Sequence, residues 1–198
     1  MSRKWSNRNL PGALHFVTGN VQGRKPIFRT EAPCIAFLQV LQELRTKIGC
    51  KLITFVLMPD HFHLVVNPRD GNIREWIGAL KALSANNLIA ICPADSFGSR
   101  QAGHKVWQDG FKALPLWSGW MVWQKINYIH SNPIRSGLVE STADYRLSSF
   151  HSFCHRDTDP LLQVDGEWSW PDDVQKLKRS IDEWAKKKEQ ERVQSSPS

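Results

Sequence analysis

The sequence predicts an α+β fold, a four-stranded antiparallel sheet with helices on one face and one further helix after the last strand. Three observations predict it. Two apolar runs, Leu52 to Met58 and Phe62 to Val66, flank Pro59-Asp60. Pro presets φ and Asp bonds its own backbone, so the pair suits a tight turn between two strands. On each side of this hairpin lies a segment with apolar residues at helical spacing. Beyond each of those lies one more short β-prone stretch. The order is β-α-β-β-α-β, the split β-α-β arrangement called ferredoxin-like.

The elements follow in chain order. Residues 1–12 are polar and basic, with Arg3, Lys4 and Arg8, and read as an arm. Ala13 to Asn20 is the first strand, and Gly23 to Pro26 a loop holding Arg24 and Lys25. From Pro33 to Ile48 the apolar positions Ile35, Leu38, Leu41, Leu44 and Ile48 mark a helix that Gly49 closes. After the hairpin, Asn72 with Glu75 three residues on resembles a capping box. It opens a second helix that runs to about Ile91 and ends at Cys92-Pro93. Residues 93–104 are rich in Gly, Ser and Pro and read as a flexible loop. Lys105 to Lys112 is the expected fourth strand. A third helix is expected from Trp117 to Ser131, ended by Pro133, because the residue before a proline disfavours the α region. Past Phe153 the composition turns polar. Pro171 to Arg192 reads as an amphipathic helix, with Val174, Leu177, Ile181 and Trp184 among charges, and the last residues as disordered. The expected division is a domain over 1–155 and a polar extension over 156–198.

A chain of 198 residues with 41% hydrophobic content can bury a real core. The net charge of +7 favours a polyanionic partner, nucleic acid first. No run of ~18 apolar residues is present, so no membrane span is expected. The first residues lack the apolar stretch of a signal peptide. Cys34, Cys50, Cys92 and Cys154 are scattered, as expected of reduced thiols in a cytoplasmic protein.

Two pairs of residues carry possible chemistry. His61 and His63 alternate with Phe62 on one strand, so both imidazoles share a face and Phe62 points into the layer behind. They fit half of a metal site, or else two partly exposed histidines on a strand, which alone is the commoner case. Tyr128 and Asn132 stand one turn apart on one helix face. Each alone is ordinary: a packing tyrosine, and a turn residue before Pro133. His151, Cys154 and His155 also cluster, a weaker zinc pattern without an evident fourth ligand.

Read together, Val56-Leu57-Met58-Pro59-Asp60-His61-Phe62-His63-Leu64 and Tyr128-Ile129-His130-Ser131-Asn132-Pro133-Ile134-Arg135-Ser136-Gly137-Leu138-Val139 resemble the HUH single-tyrosine transposases of bacterial insertion sequences, including the REP-associated tyrosine transposases. The resemblance covers most of residues 8–150. It implies an enzyme that nicks and rejoins single-stranded DNA, often folded as a hairpin, through a 5′-phosphotyrosine. In that reading Tyr128 is the nucleophile, and His61 and His63 ligate Mg²⁺ or Mn²⁺. Asn132 is the third ligand, where well-studied members place a glutamine. Arg8, Arg24, Lys25, Lys81 and Arg135 are candidates for holding phosphates, and Trp107 or Trp117 for stacking bases. A homodimer and a monomer are both open. A domesticated binder of hairpin DNA or RNA that does not cut, or a phosphodiesterase on a small substrate, are the competing readings.

Overall fold

The structure is a computed structural model, and it describes residue 9 and residues 12–97, 105–154 and 161–166. Arg8, most of the basic arm, residues 98–104, His155 and the expected helix over Pro171 to Arg192 lie outside the described residues. The elements are β1 (Leu14–Asn20), α1 (Glu31–Ile48), β2 (Cys50–Met58), β3 (His61–Pro68), α2 (Ile73–Ile91), β4 (Lys112–Leu116), α3 (Gly119–Arg135) and the short α4 (Phe150–Phe153). The four strands form one sheet in the order β2-β3-β1-β4, with every neighbouring pair antiparallel. That is the order the split β-α-β pattern predicts.

Alternation along the strands separates two apolar layers. Val17, Leu52, Phe55, Leu57, Phe62, Leu64 and Val66 face α1 and α2. Leu14, Ile53, Val56, Met58 and Val65 face α3. The alternation slips once. Leu52 pairs with Val66 and Thr54 with Val65, leaving Ile53 as an extra residue. This bulge puts Ile53 and Thr54 both on the α3 side, where Thr54 meets His130. Pro59-Asp60 is the two-residue turn of the hairpin, with Met58 opposite His61.

The helix caps follow local chemistry. Gly49 closes α1 in the left-handed region at φ 73°. Asn72 accepts from the Glu75 amide at 3.2 Å while its own amide donates to the Glu75 carboxylate at 2.6 Å. Ser118 caps α3, accepting from the Met121 amide at 3.2 Å.

Two boundaries differ from expectation. The fourth strand is Lys112–Leu116 rather than Lys105 to Lys112. The stretch before it makes only a single bridge, Trp107 to Val21, then turns at Asp109-Gly110. Pro115 argues against a strand in the sequence, but β4 is an edge strand, where a missing N–H is tolerated. The third helix does not stop before Pro133. It continues to Arg135, because a proline in the last turn removes only one hydrogen bond near an end that is already fraying. Gly137, at φ 66°, then closes it, with the Leu138 amide on the Pro133 carbonyl and the Gly137 amide on that of Ile134.

Residues 145–149 lie along the open edge of β2. The Leu57 amide donates to the Leu147 carbonyl at 2.8 Å and the Ser149 amide to the Phe55 carbonyl at 3.0 Å. Farther along the same edge the Asp165 amide donates to the Leu52 carbonyl, and Arg45 pairs with the Asp165 carboxylate at 2.6 Å. Leu162 is buried in the α1–α2 layer. The first part of the polar extension is thus packed onto the domain.

Candidate active site

The site sits where the start of β3, the end of β1 and α3 meet. Strand alternation turns His61 and His63 toward α3, as the sequence predicts, and both are buried. Their rings stand edge to face at 4.8 Å. The ring of His63 stacks on Phe16 at 5.4 Å, and the Tyr128 ring meets its edge at 5.3 Å. The hairpin therefore brings the two histidines together, and α3 brings Tyr128 against one of them.

Each imidazole is oriented through Nδ1. The Nδ1–H of His61 donates to Asp60 Oδ1 at 2.6 Å. His63 Nδ1 lies 2.8 Å from the hydroxyl of Thr18, its partner across β1 and β3. Burial pushes the pKa of His61 down against the opposing pull of Asp60. Burial, then His61 and the cations Arg24 and Lys125, push His63 down to about 3. Both rings are neutral at neutral pH. With its Nδ1–H on the Asp60 carboxylate, His61 carries a lone pair on Nε2, the state a metal ligand needs; His63 reaches the same tautomer when its Nδ1–H donates to the Thr18 hydroxyl, which can either accept or donate.

Behind His61 stands a second layer. Arg24 Nε pairs with the other oxygen of Asp60 at 2.8 Å, and its Nη1 donates to Asn20 Oδ1 at 2.6 Å. Among the described residues Arg24 is the one non-glycine with positive φ, 57°. A left-handed backbone costs roughly 1 kcal/mol, and the double anchor holds it there.

Two cations flank the tyrosine. Lys125 Nζ lies 5.6 Å from the centroid of the Tyr128 ring and 5.0 Å from that of Phe16. The Arg135 guanidinium lies 5.5 Å from the Tyr128 centroid. Asn132 is buried one turn on, its side-chain nitrogen donating to the Tyr128 carbonyl at 3.3 Å. This commits the nitrogen and leaves the amide oxygen as the atom able to ligate. Among the described residues no group of three or more His, Cys, Asp or Glu side chains is placed to hold a metal. The other tyrosine is differently placed: Tyr145 donates to the Leu57 carbonyl at 2.7 Å, and burial pushes its pKa up.

The other candidates scatter. Arg24 and Arg135 lie at the site, Lys25 in the exposed loop beside Arg24. Lys81 is on the α2 side of the sheet, its ammonium donating to the carbonyls of Gln108 at 2.6 Å and Gly110 at 2.5 Å. Trp107 is 5% exposed, packs against Phe28, Phe37 and Phe62, and donates to Ser84 at 3.1 Å. That is a core residue, with no face open to a base. His151 hydrogen-bonds the Ala143 carbonyl at 2.7 Å. Asp60, Thr18 and Lys125 are site residues that sequence reasoning did not single out. Lys125 was findable from its place three residues before Tyr128. Thr18 was not, because its partner comes from another strand.

A family model described as "Transposase IS200 like" matches residues 13–132, which span both histidines, the tyrosine and the asparagine. The chain belongs to the IS200-like transposase family. Consistent with that membership, it is 25% identical over 145 residues to a REP-associated tyrosine transposase of Haemophilus influenzae, covering 71% of this chain and 81% of that one. Among solved structures, the REP-associated tyrosine transposase bound to a REP hairpin shares the fold, with a TM-score of 0.64 at 16% identity over 84% of this chain and 94% of the other. Among the described residues no helix of this family member is long and apolar enough to cross a membrane.

Proposed function

We propose that this transposase nicks and rejoins single-stranded DNA, folded as a hairpin, with Tyr128 as its nucleophile. One observation carries the reading: the half-buried Tyr128 ring lies against His63, with Lys125 5.6 Å and Arg135 5.5 Å from its centroid. A phenol there has two cations near it for a phosphate, and His63 of the imidazole pair beside it. The solved relative of the same fold was captured on a hairpin, and the net charge of +7 suits a polyanion.

In the step proposed, Tyr128 Oη attacks phosphorus and the bond to the 3′ oxygen breaks. The products are a 5′-phosphotyrosine and a free 3′-hydroxyl, which takes up a proton equivalent to the one lost by the phenol. The bond is stored as an ester, so rejoining needs no nucleotide cofactor. His61 and His63 through Nε2, with the Asn132 amide oxygen, would be the residues to hold a divalent ion, imidazole nitrogens and an amide oxygen being competent donors. Mg²⁺ or Mn²⁺ bound there would neutralise and polarise the phosphate. Asp60 holds His61 in the ligating tautomer, and Thr18 accepts the Nδ1–H of His63 when that ring ligates through Nε2. Lys125 and Arg135 position the phosphate.

The test is a denaturing gel of labelled hairpin DNA incubated with protein and Mn²⁺, read for a slow covalent species. Wild type should form it. Tyr128→Phe removes one oxygen and little volume, and should lower it by orders of magnitude. Tyr145→Phe should still form it. An adduct that persists in Tyr128→Phe refutes the assignment. Hairpin binding by wild type without any adduct would favour a binder that does not cut.

A further inference from the structure

We infer that the outer ridge of α3 is a track for unpaired bases, with Trp120 as its stacking platform. The inference rests on the proposed single-stranded DNA substrate and says where on the protein the unpaired part of that DNA lies.

Trp120 is 71% exposed. An exposed indole presents a flat face on which a base can stack, and here it stands on the helix that carries the tyrosine. Trp120, Gln124, Asn127 and Ser131 follow one another at spacings of four, three and four, so they form one ridge along α3. Gln124 and Asn127 are exposed and Ser131 half-buried. Tyr128 lies one turn beyond Gln124, on the flank of this ridge. The eight residues from Trp120 to Tyr128 rise about 12 Å, the length of roughly three to four nucleotides stacked at ~3.4 Å each.

The chemistry selects the occupant. Along its whole length, Gly119–Arg135, α3 has no Asp or Glu, while Lys125 and Arg135 supply positive charge on the tyrosine flank. A surface with an exposed indole, two exposed amides and only positive charge complements a polyanion with flat bases. Every base has a face to stack on indole, and unpaired bases leave edges free for amides. A duplex keeps its base faces stacked on one another and offers none to an indole, so the ridge takes the unpaired strand flanking a hairpin rather than its stem.

The experiment compares two fluorescein-labelled probes, a DNA hairpin with mixed-sequence single-stranded extensions on both ends and the same hairpin trimmed blunt. Binding is titrated by anisotropy in the full-length Tyr128→Phe background, so that no covalent product forms. The parent protein should prefer the extended hairpin. Trp120→Ala should reduce that preference about tenfold, the lower part of the range for one stacked base. Trp120→Phe should keep most of it. Leu83→Ala, an exposed apolar residue on α2, is the control and should leave the ratio at the parent value. Thermal melts should show Trp120→Ala folded, since its side chain is in solvent.

An unchanged ratio in Trp120→Ala, or no preference in the parent, overturns the inference and leaves the nicking reading standing. Failure of the parent to bind either hairpin defeats both. A dimer by light scattering that Trp120→Ala converts to monomer overturns it as well, because a second copy would then cover the ridge.

Discussion

Mild acid should destabilise this protein, in part through His130. The residue is 8% exposed on α3, two positions past Tyr128. Its Nε2 lies 3.1 Å from the Thr54 hydroxyl and 2.9 Å from that of Ser149, and its ring meets Phe153 at 5.2 Å and Phe150 at 5.6 Å. It ties α3 to the bulge of β2 and to the segment on the edge of β2. Burial pushes its pKa from 6.5 down to about 4. The folded state therefore holds His130 neutral while the unfolded chain takes up a proton below pH 6.5. Its stabilising contribution is complete above pH 6.5 and is lost as pH falls toward 4. At ~1.36 kcal/mol per unit, moving to pH 4.5 should cost about 2.5 kcal/mol from this group alone. The assay is urea unfolding followed by tryptophan fluorescence at pH 7.5 and 4.5, for wild type and His130→Gln. Glutamine can still donate to one hydroxyl but does not titrate. His130→Gln should be the less stable protein at pH 7.5, and the gap should close or reverse by about 2.5 kcal/mol at pH 4.5. A difference between the two proteins that stays constant with pH would refute the reasoning, since other groups affect both alike.

Further predictions concern positions next to the site. A Cβ on Gly19 would come within 3.0 Å of two atoms of the Phe62 ring, which is wholly buried across the strand pair. Gly19→Ala should therefore cost about 2–3 kcal/mol, or roughly 5–10 °C in Tm by calorimetry. Gly19→Ala combined with Phe62→Leu should recover part of the loss, and a melt unchanged in Gly19→Ala would contradict the packing argument. Asp60→Asn should weaken Mn²⁺ binding about tenfold in a calorimetric titration, because the carboxylate orients and polarises His61. Equal affinity in wild type and Asp60→Asn would remove Asp60 from the site.

Much of the fold was legible because its signals are local. The hairpin is readable in Pro59-Asp60 between two apolar runs, and the capping box of α2 in Asn72 and Glu75. The end of α1 is readable in Gly49, since each depends on residues within one turn. Strand alternation alone placed His61 and His63 on a common face, and the helical repeat placed Tyr128 above Asn132. The motif spelled by these residues was enough to identify the family. Where the local signal and the tertiary context conflicted, context decided. Pro115 speaks against a strand until the topology puts it on an edge. Pro133 speaks for a helix end until it is seen to fall in the last turn.

What the sequence by itself determined, then, is the order of the elements and the residue types of the site. Only the tertiary structure decided which of these residues meet. Trp107 and Lys81 look like nucleic-acid ligands in a basic chain, but packing buries the indole among Phe28, Phe37 and Phe62 and spends the ammonium on two loop carbonyls. Thr18 became the orienting partner of His63 because β1 and β3 pair in that register. Tyr128 came to lie against His63 because α3 crosses the face opposite α1 and α2. Those contacts join residues far apart in the chain. No window of local propensity contains them, so they arise only when burial of the two apolar layers fixes the sheet and its helices together.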